Sequence, residues 1–118
     1  MTFAAAGHPP AMLVSNGALR CLDSQSGILG CLADTAPTEA THEIDLTSGD
    51  RLVLCTDGLT QVFDTHGEML GVEGFEELVR RSANQPLPEM RQTILDGVTA
   101  WRQGPLADDL SLVIVELR

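Results

Sequence analysis

The strongest constraint on the fold is the stretch "RLVLCTDG", in which an apolar run over residues 51–55 breaks off at Asp57 and Gly58. Leu52, Val53, Leu54 and Cys55 put apolar side chains on both faces of an extended chain, which predicts a central strand with a neighbour on either side. "LSLVIVEL", residues 110–117, is a second continuous run of leucine and β-branched residues and reads as another buried strand. Asp108 and Asp109 precede it, just as Asp57 follows the first. If the two strands are antiparallel neighbours, roughly 4.8 Å apart, Asp57 and Asp108 or Asp109 converge at one edge of a sheet.

The rest of the chain supplies strands first and helices second. Residues 2–6 read as a buried strand ended by Gly7-His8-Pro9-Pro10. "AMLVSNGALRCL" reads as two strands around Ser15-Asn16-Gly17, because Asn-Gly between apolar runs is a strong hairpin signal. Residues 23–41 lack periodicity and predict a surface loop. "THEIDL" alternates, with Ile44 and Leu46 on one face and Glu43 and Asp45 on the other, so it reads as a half-buried strand. "TSGD" turns it, and "RLVLC" is taken as its partner. "GVEGFEELVRRSAN" predicts an amphipathic helix through Phe75, Leu78 and Val79, with Glu76 and Glu77 placed to pair with Arg80 and Arg81. "EMRQTILDGVTAWRQG" predicts a second, with Met90, Ile94, Leu95, Val98 and Trp101 on one stripe and an end at Gly104-Pro105. The order of strands, helices and a final strand predicts an α+β fold.

Length and charge narrow the possible functions. A chain of 118 residues with 43% hydrophobic composition buries one core, so residues 1–118 read as a single domain or a large part of one. Seventeen Asp and Glu against seven Lys and Arg give a net charge of −10, which opposes nucleic acid and anionic lipid but suits divalent cations. Cys21, Cys31 and Cys55 have no CxxC spacing and fit a reduced, cytoplasmic chain. The opening "MTFAAAGHPPAMLV" has no basic leader, and its Gly-His-Pro-Pro interrupts the apolar content, so neither a signal peptide nor a membrane span is expected.

Two or three carboxylates at one sheet edge cannot all stay ionised unaided, and Mg²⁺ or Mn²⁺ would be the natural counter-charge. Each site also has a structural explanation. Asp57 fits a cap on a short helical turn at Gly58-Leu59, and Asp108-Asp109 fits a solvated turn. Spacing alone leaves both readings open.

Four motifs in order, "AGHPP", "GDRLVLCTDGLTQ", "GEMLG" and "ADDLSLVIVEL", resemble the metal-dependent protein phosphatases of the PPM (type 2C) superfamily, and the SpoIIE-like bacterial branch in particular. The resemblance spans nearly the whole chain. It implies a β-sandwich flanked by helices with a two-metal Mn²⁺ or Mg²⁺ centre at one end, where Asp57 and Asp108 fall on metal-ligand positions. Asp109 then supports the centre from behind or serves as an alternative ligand, Gly58 keeps the backbone clear of it, and His8 is structural near it. The implied chemistry is metal-assisted hydrolysis of phosphoserine or phosphothreonine, with no nucleophilic side chain. The implied partner is a phosphorylated regulatory protein of the kind that controls a sigma factor.

The pattern also departs from the family. Its upstream Asp and Gly-His-Gly stretch, which supplies further ligands, does not precede "AGHPP". "DTHG" at 64–67 comes after "TDG" and reads as a surface turn, while His8, His42 and His66 have no ligand-like spacing. Gln61 stands where many relatives carry Glu, and Ala5 where Asn is common. The chain therefore reads as the C-terminal part of a phosphatase domain lacking its N-terminal strands, with open sheet edges that pair with the upstream segment or a second copy. Two alternatives stand beside this. One is a non-catalytic relative that binds a partner. The other is a haloacid-dehalogenase-like phosphatase, which needs a second Asp where Leu59 stands.

Overall fold

The computed structural model describes residues 2–3, 11–22, 42–104 and 110–118. The elements are β1 (Thr2–Phe3), β2 (Ala11–Ser15), β3 (Ala18–Leu22), β4 (His42–Glu43), β5 (Arg51–Cys55), a 3-10 turn at Asp57–Leu59, α1 (Gly71–Ser82), α2 (Leu87–Arg102) and β6 (Leu112–Glu116). Strands β3-β2-β5-β6 form one antiparallel sheet in that order, and β1 and β4 form a second, two-stranded one. The result is the expected α+β arrangement. The loop read over 23–41 and residues 4–10 of the first strand and its Pro-Pro end lie outside the described residues.

The hairpin between β2 and β3 forms because Asn16 and Gly17 both take positive φ, 50° and 79°, the backbone of a type I′ turn. β5 is central, as its two apolar faces require: Met12 pairs with Val53 on one side and Val53 with Ile114 on the other. Its pairing with β6 is antiparallel, with Cys55 opposite Leu112.

One expected pairing is corrected. β4 pairs with β1, not with β5, and the ladder covers only His42–Glu43. The turn between them explains this. Asp50 is buried, and its carboxylate accepts the Thr47 amide at 2.9 Å and the Thr47 hydroxyl at 3.1 Å, while the Gly49 amide donates to the Leu117 carbonyl at 2.7 Å. The turn is thereby fastened to the end of β6, and the chain changes layers there instead of doubling back. The alternation of "THEIDL" persists without a ladder: Ile44 is buried, Asp45 exposed and Leu46 half-buried.

The four-stranded sheet has two different faces. Met12, Val14, Val53 and Cys55 pack against Phe75, Leu78 and Val79 of α1 and Met90, Ile94 and Val98 of α2, all within one buried cluster. On the opposite face Leu13 and Leu22 pack with Ile44, supported by Leu46 and Leu52. Helix α2 begins at Leu87, two residues before the expected start, because Pro88 in the first turn needs no amide partner. It ends at Arg102, with Gln103 in the left-handed conformation as its C-cap. Of its stripe, Met90, Ile94 and Val98 are buried, whereas Leu95 and Trp101 are half-buried.

The helices approach closely at Gly97, where a Cβ would lie 2.3 Å from Leu78 Cδ2. The expected ion pairs on α1 are made by Glu77 alone, with Arg80 at 3.1 Å and Arg81 at 3.7 Å. Glu76 instead accepts a hydrogen bond from the Cys21 thiol at 2.7 Å, since it faces β3. Arg51 joins three elements. Its Nε donates to Glu116 Oε2 of β6 at 2.8 Å, and its Nη1 donates to the Ala83 carbonyl at 3.3 Å and to the Gln85 carbonyl, between the helices.

Candidate metal centre

The end of β5 is held in place before Asp57 is reached. The Thr56 amide donates to the Ser111 carbonyl at 3.0 Å, and the Ser111 amide donates to the Thr56 hydroxyl at 2.8 Å. These two bonds continue the β5-β6 ladder by one residue. They place the described chain that follows Asp109 beside the residue that precedes Asp57.

After Thr56 the backbone closes into the 3-10 turn. The Asp57 carbonyl accepts the Thr60 amide at 3.1 Å and the Gln61 amide at 2.8 Å. Leu59 is fully buried and Thr60 nearly so, which anchors one side of the turn in the core. Asp57, ahead of these anchors, is exposed. The residue in the cap position is Thr56, so Asp57 is not the cap that a structural explanation required. Among the described residues its carboxylate makes no hydrogen bond and no ion pair. Its charge is nonetheless felt two residues back, at the end of β5: burial first, and then the Asp57 carboxylate, push the Cys55 thiol up to about 11.

Gly58 is half-buried within the turn. Asp108, Asp109 and His8 lie outside the described residues. Among the described residues no three His, Cys, Asp or Glu side chains come together as a metal-ligand group. Asp57 fits a divalent cation in one specific respect: it is a hard oxygen donor held on a hydrogen-bonded turn and not engaged among the described residues. "DTHG" forms the surface turn expected of it, with Asp64 Oδ1 accepting the His66 and Glu68 amides at 2.8 and 2.9 Å. Leu59 stands in the core at the position where a haloacid-dehalogenase-like site needs its second Asp.

Thr56 and Ser111 escaped the sequence reading. The only signal for them was the register of two strands, which pairs position 56 with position 111 once Cys55 faces Leu112. A polar cleft of about 280 Å³, lined in part by Asn16, Ser48, Asp50, Arg51 and Asn84, lies at the opposite end of β5 from Asp57. Its two charged residues are committed to Thr47 and to Glu116, respectively, and we assign it no chemistry.

Comparison with solved structures defines the class. The SiaA-PP2C domain of Pseudomonas aeruginosa superposes with a TM-score of 0.78 at 26% identity, over 99% of this chain and 46% of that one. The RsbU and RsbW domains of Rv1364c from Mycobacterium tuberculosis give 0.76 at 24% identity, over 99% and 33%. The PP2C phosphatase domain with a regulatory fragment of SpoIIE from Bacillus subtilis gives 0.69 at 16%, over 98% and 33%. The fold is that of the PP2C (PPM) phosphatase domains, and the chain spans less than half the length of each of these three. The model of the Stage II sporulation protein E (SpoIIE) family matches residues 1–118, and the chain belongs to that family. No match was found among the curated proteins. No helix among the described residues is long and apolar enough to cross a membrane.

Proposed function

We propose that the chain forms part of a metal-dependent protein serine/threonine phosphatase and contributes Asp57 and Asp108 as ligands to a Mn²⁺ or Mg²⁺ centre. The observation that carries this reading is the Asp57 carboxylate, exposed at the end of a central strand and uncommitted among the described residues, next to the Thr56–Ser111 clasp. Asp108 is three Cα–Cα steps from Ser111, with Asp109 and Leu110 between them, so covalent geometry keeps their Cα atoms within ~11 Å whatever the path. Membership of the SpoIIE family supports the same assignment.

Metal ions held there would supply an acidified water and neutralise phosphate oxygens. The chain's own part is positional. Leu59 and Thr60 fix the turn, Thr56 fixes the two strand ends against each other, and Asp57 presents a carboxylate outward. Asp109 supports the centre from behind or substitutes as a ligand, Gly58 keeps side-chain bulk away from it, and His8 shapes the neighbouring chain. The substrate of this reading is phosphoserine or phosphothreonine on a regulatory protein in bacterial signalling, of the type that governs a sigma factor. The remaining ligands come from an upstream segment or a second copy.

The test is Mn²⁺-dependent hydrolysis of p-nitrophenyl phosphate by the chain beside Asp57→Asn and Asp108→Asn. Activity abolished in both variants supports a working centre built on these two carboxylates. Activity retained in both refutes the assignment. An inactive chain whose Mn²⁺ binding still depends on both residues identifies half a site, or a relative that binds without catalysis.

A further inference from the structure

The turn that carries Asp57 is held from two sides. On the strand side the Thr56–Ser111 clasp fixes the end of β5. On the other side Thr60 is bonded in both directions. Its amide donates to the Asp57 carbonyl at 3.1 Å, and its carbonyl accepts the amide of Gly71, the first residue of α1, at 2.8 Å. Gly71 has a φ of 70°, a backbone that favours glycine, and this lets the chain enter α1 directly from that bond. The second support of the turn is therefore the segment that runs from Thr60 to Gly71.

That segment folds back on itself as a narrow loop. The Val62 carbonyl accepts the Leu70 amide at 2.7 Å, Phe63 and Met69 form an antiparallel bridge, and the Glu68 carbonyl accepts the Asp64 amide at 2.9 Å. Val62 is buried at the root, and the carboxylate of Asp64 bonds only within the loop, to His66 and Glu68. Among the described residues one side chain from elsewhere hydrogen-bonds to the loop. It is Trp101, in the last turn of α2, whose Nε1 donates to the Glu68 carbonyl at 3.1 Å. The indole is half-buried and packs against the core cluster, so its N–H is offered by a side chain that is itself held. Helix α2 thus reaches the Asp57 turn through one series of bonds: Trp101 to Glu68, across the loop to Val62 and Leu70, and from Gly71 through Thr60 to Asp57.

We infer that Trp101 is a positioning residue for the candidate centre: its indole N–H holds the 62–70 loop, and through the loop the Asp57 carboxylate, in the arrangement that binds a divalent cation. The inference rests on the assignment of Asp57 as a metal ligand. A cation takes its oxygen donors at fixed distances, and affinity falls when the groups that orient a ligand are loosened. The coupling is reciprocal. If the Trp101 bond favours the metal-binding arrangement of the turn, metal on Asp57 favours the Trp101 bond by the same factor. One net hydrogen bond limits that factor to about fivefold. The chain has one tryptophan and no tyrosine, so the emission of the indole reports its own side of the coupling.

The test is Mn²⁺ affinity, read from the electron paramagnetic resonance of free Mn²⁺, for the parent chain, Asp57→Asn, Trp101→Phe and a chain with benzothienylalanine at position 101. In the last of these, sulfur replaces the indole N–H and the ring shape is kept. Trp101→Phe and the sulfur isostere are expected to bind about fivefold more weakly than the parent, with unchanged circular dichroism. A tryptophan that only stabilises the fold would lower the denaturation midpoint and leave the affinity of the folded chain untouched. Titration with diamagnetic Mg²⁺ gives the reciprocal readout: the emission maximum of Trp101 shifts with saturation in the parent and stays fixed in Asp57→Asn.

Parental affinity in Trp101→Phe and the isostere, with Asp57→Asn weakened, overturns this inference and leaves the metal-ligand assignment standing. So does weakening by Trp101→Phe alone, which assigns the effect to ring volume, or an emission that ignores Mg²⁺. Equal binding by the parent and Asp57→Asn, or no binding by the parent, overturns the assignment and this inference with it.

Discussion

Thr56 and Ser111 clasp the end of one central strand to the start of the last. The amide of each donates to the other residue, at 3.0 Å to the Ser111 carbonyl and at 2.8 Å to the Thr56 hydroxyl. The pair holds the residue that leads into Asp57 beside the described start of the last strand.

Thr56→Val keeps the shape of the side chain and the amide–carbonyl bond but removes the hydroxyl that accepts from Ser111. The expected loss of stability is about 1 kcal/mol, one net hydrogen bond. The urea midpoint checks this, and metal-dependent activity, where present, is expected to fall by more than the stability change explains.

Arg51→Lys tests whether β5, β6 and the α1-α2 connection depend on guanidinium geometry or on charge alone. An ammonium cannot reproduce a fork that meets Glu116, Ala83 and Gln85 together. We expect Arg51→Lys to lose most of what Arg51→Ala loses, about 3 kcal/mol for breaking a largely buried pair. Equilibrium denaturation of the two variants compares them, and full rescue by Lys would contradict the account.

Gly97→Ala sets two effects against each other. Alanine favours helix by about 1 kcal/mol, but its Cβ meets Leu78 Cδ2 at 2.3 Å inside the core, an overpacking that costs about 1–3 kcal/mol. Leu78 is buried against both helices and has little room to give. The variant is expected to be the less stable by about 1 kcal/mol, read from its denaturation midpoint.

Asp50 ties the fold to pH. The Thr47 amide, and after it the Ser15 hydroxyl, hold its carboxyl below the ordinary value of 3.8, and burial opposes them only in part. A folded value below the unfolded one means that this stabilisation is fully present above about pH 3.8 and is lost as the pH falls through the lowered folded value. Asp50→Asn should therefore be less stable than the parent at neutral pH, with the gap closing as the solution is acidified below 3.8. Denaturation curves across that range would show a constant gap if the carboxylate had no such role.

Much of this was legible in the sequence because short-range chemistry decides it. Asn16-Gly17 fixed a hairpin through backbone sterics, and Phe75, Leu78 and Val79 marked a buried stripe through helical spacing. The double-sided apolar character of Leu52 to Cys55 announced a central strand, which β2 and β6 then flanked. The partner of β4 was not legible. That choice rests on the buried Asp50 carboxylate and on the docking of Gly49 against Leu117, a contact 68 residues away in sequence that no local pattern carries. Asp57 was legible as an abrupt carboxylate after an apolar run. Thr56 and Ser111 were not, since their meaning depends on strand register. Leu95 and Trp101 had the right spacing for the core but only half-enter it, because Trp101 Nε1 turns to the Glu68 carbonyl at 3.1 Å.

The metal-ligand role proposed for Asp57 rests on a carboxylate that is exposed and uncommitted among the described residues. Mn²⁺ titration of the chain and of Asp57→Asn, followed by the electron paramagnetic resonance of free Mn²⁺, tests it without requiring turnover. Asp57→Asn is expected to weaken binding by about tenfold or more, the scale of losing an oxygen donor or its support, while the fold is unchanged by circular dichroism. Equal binding by the two proteins would contradict it.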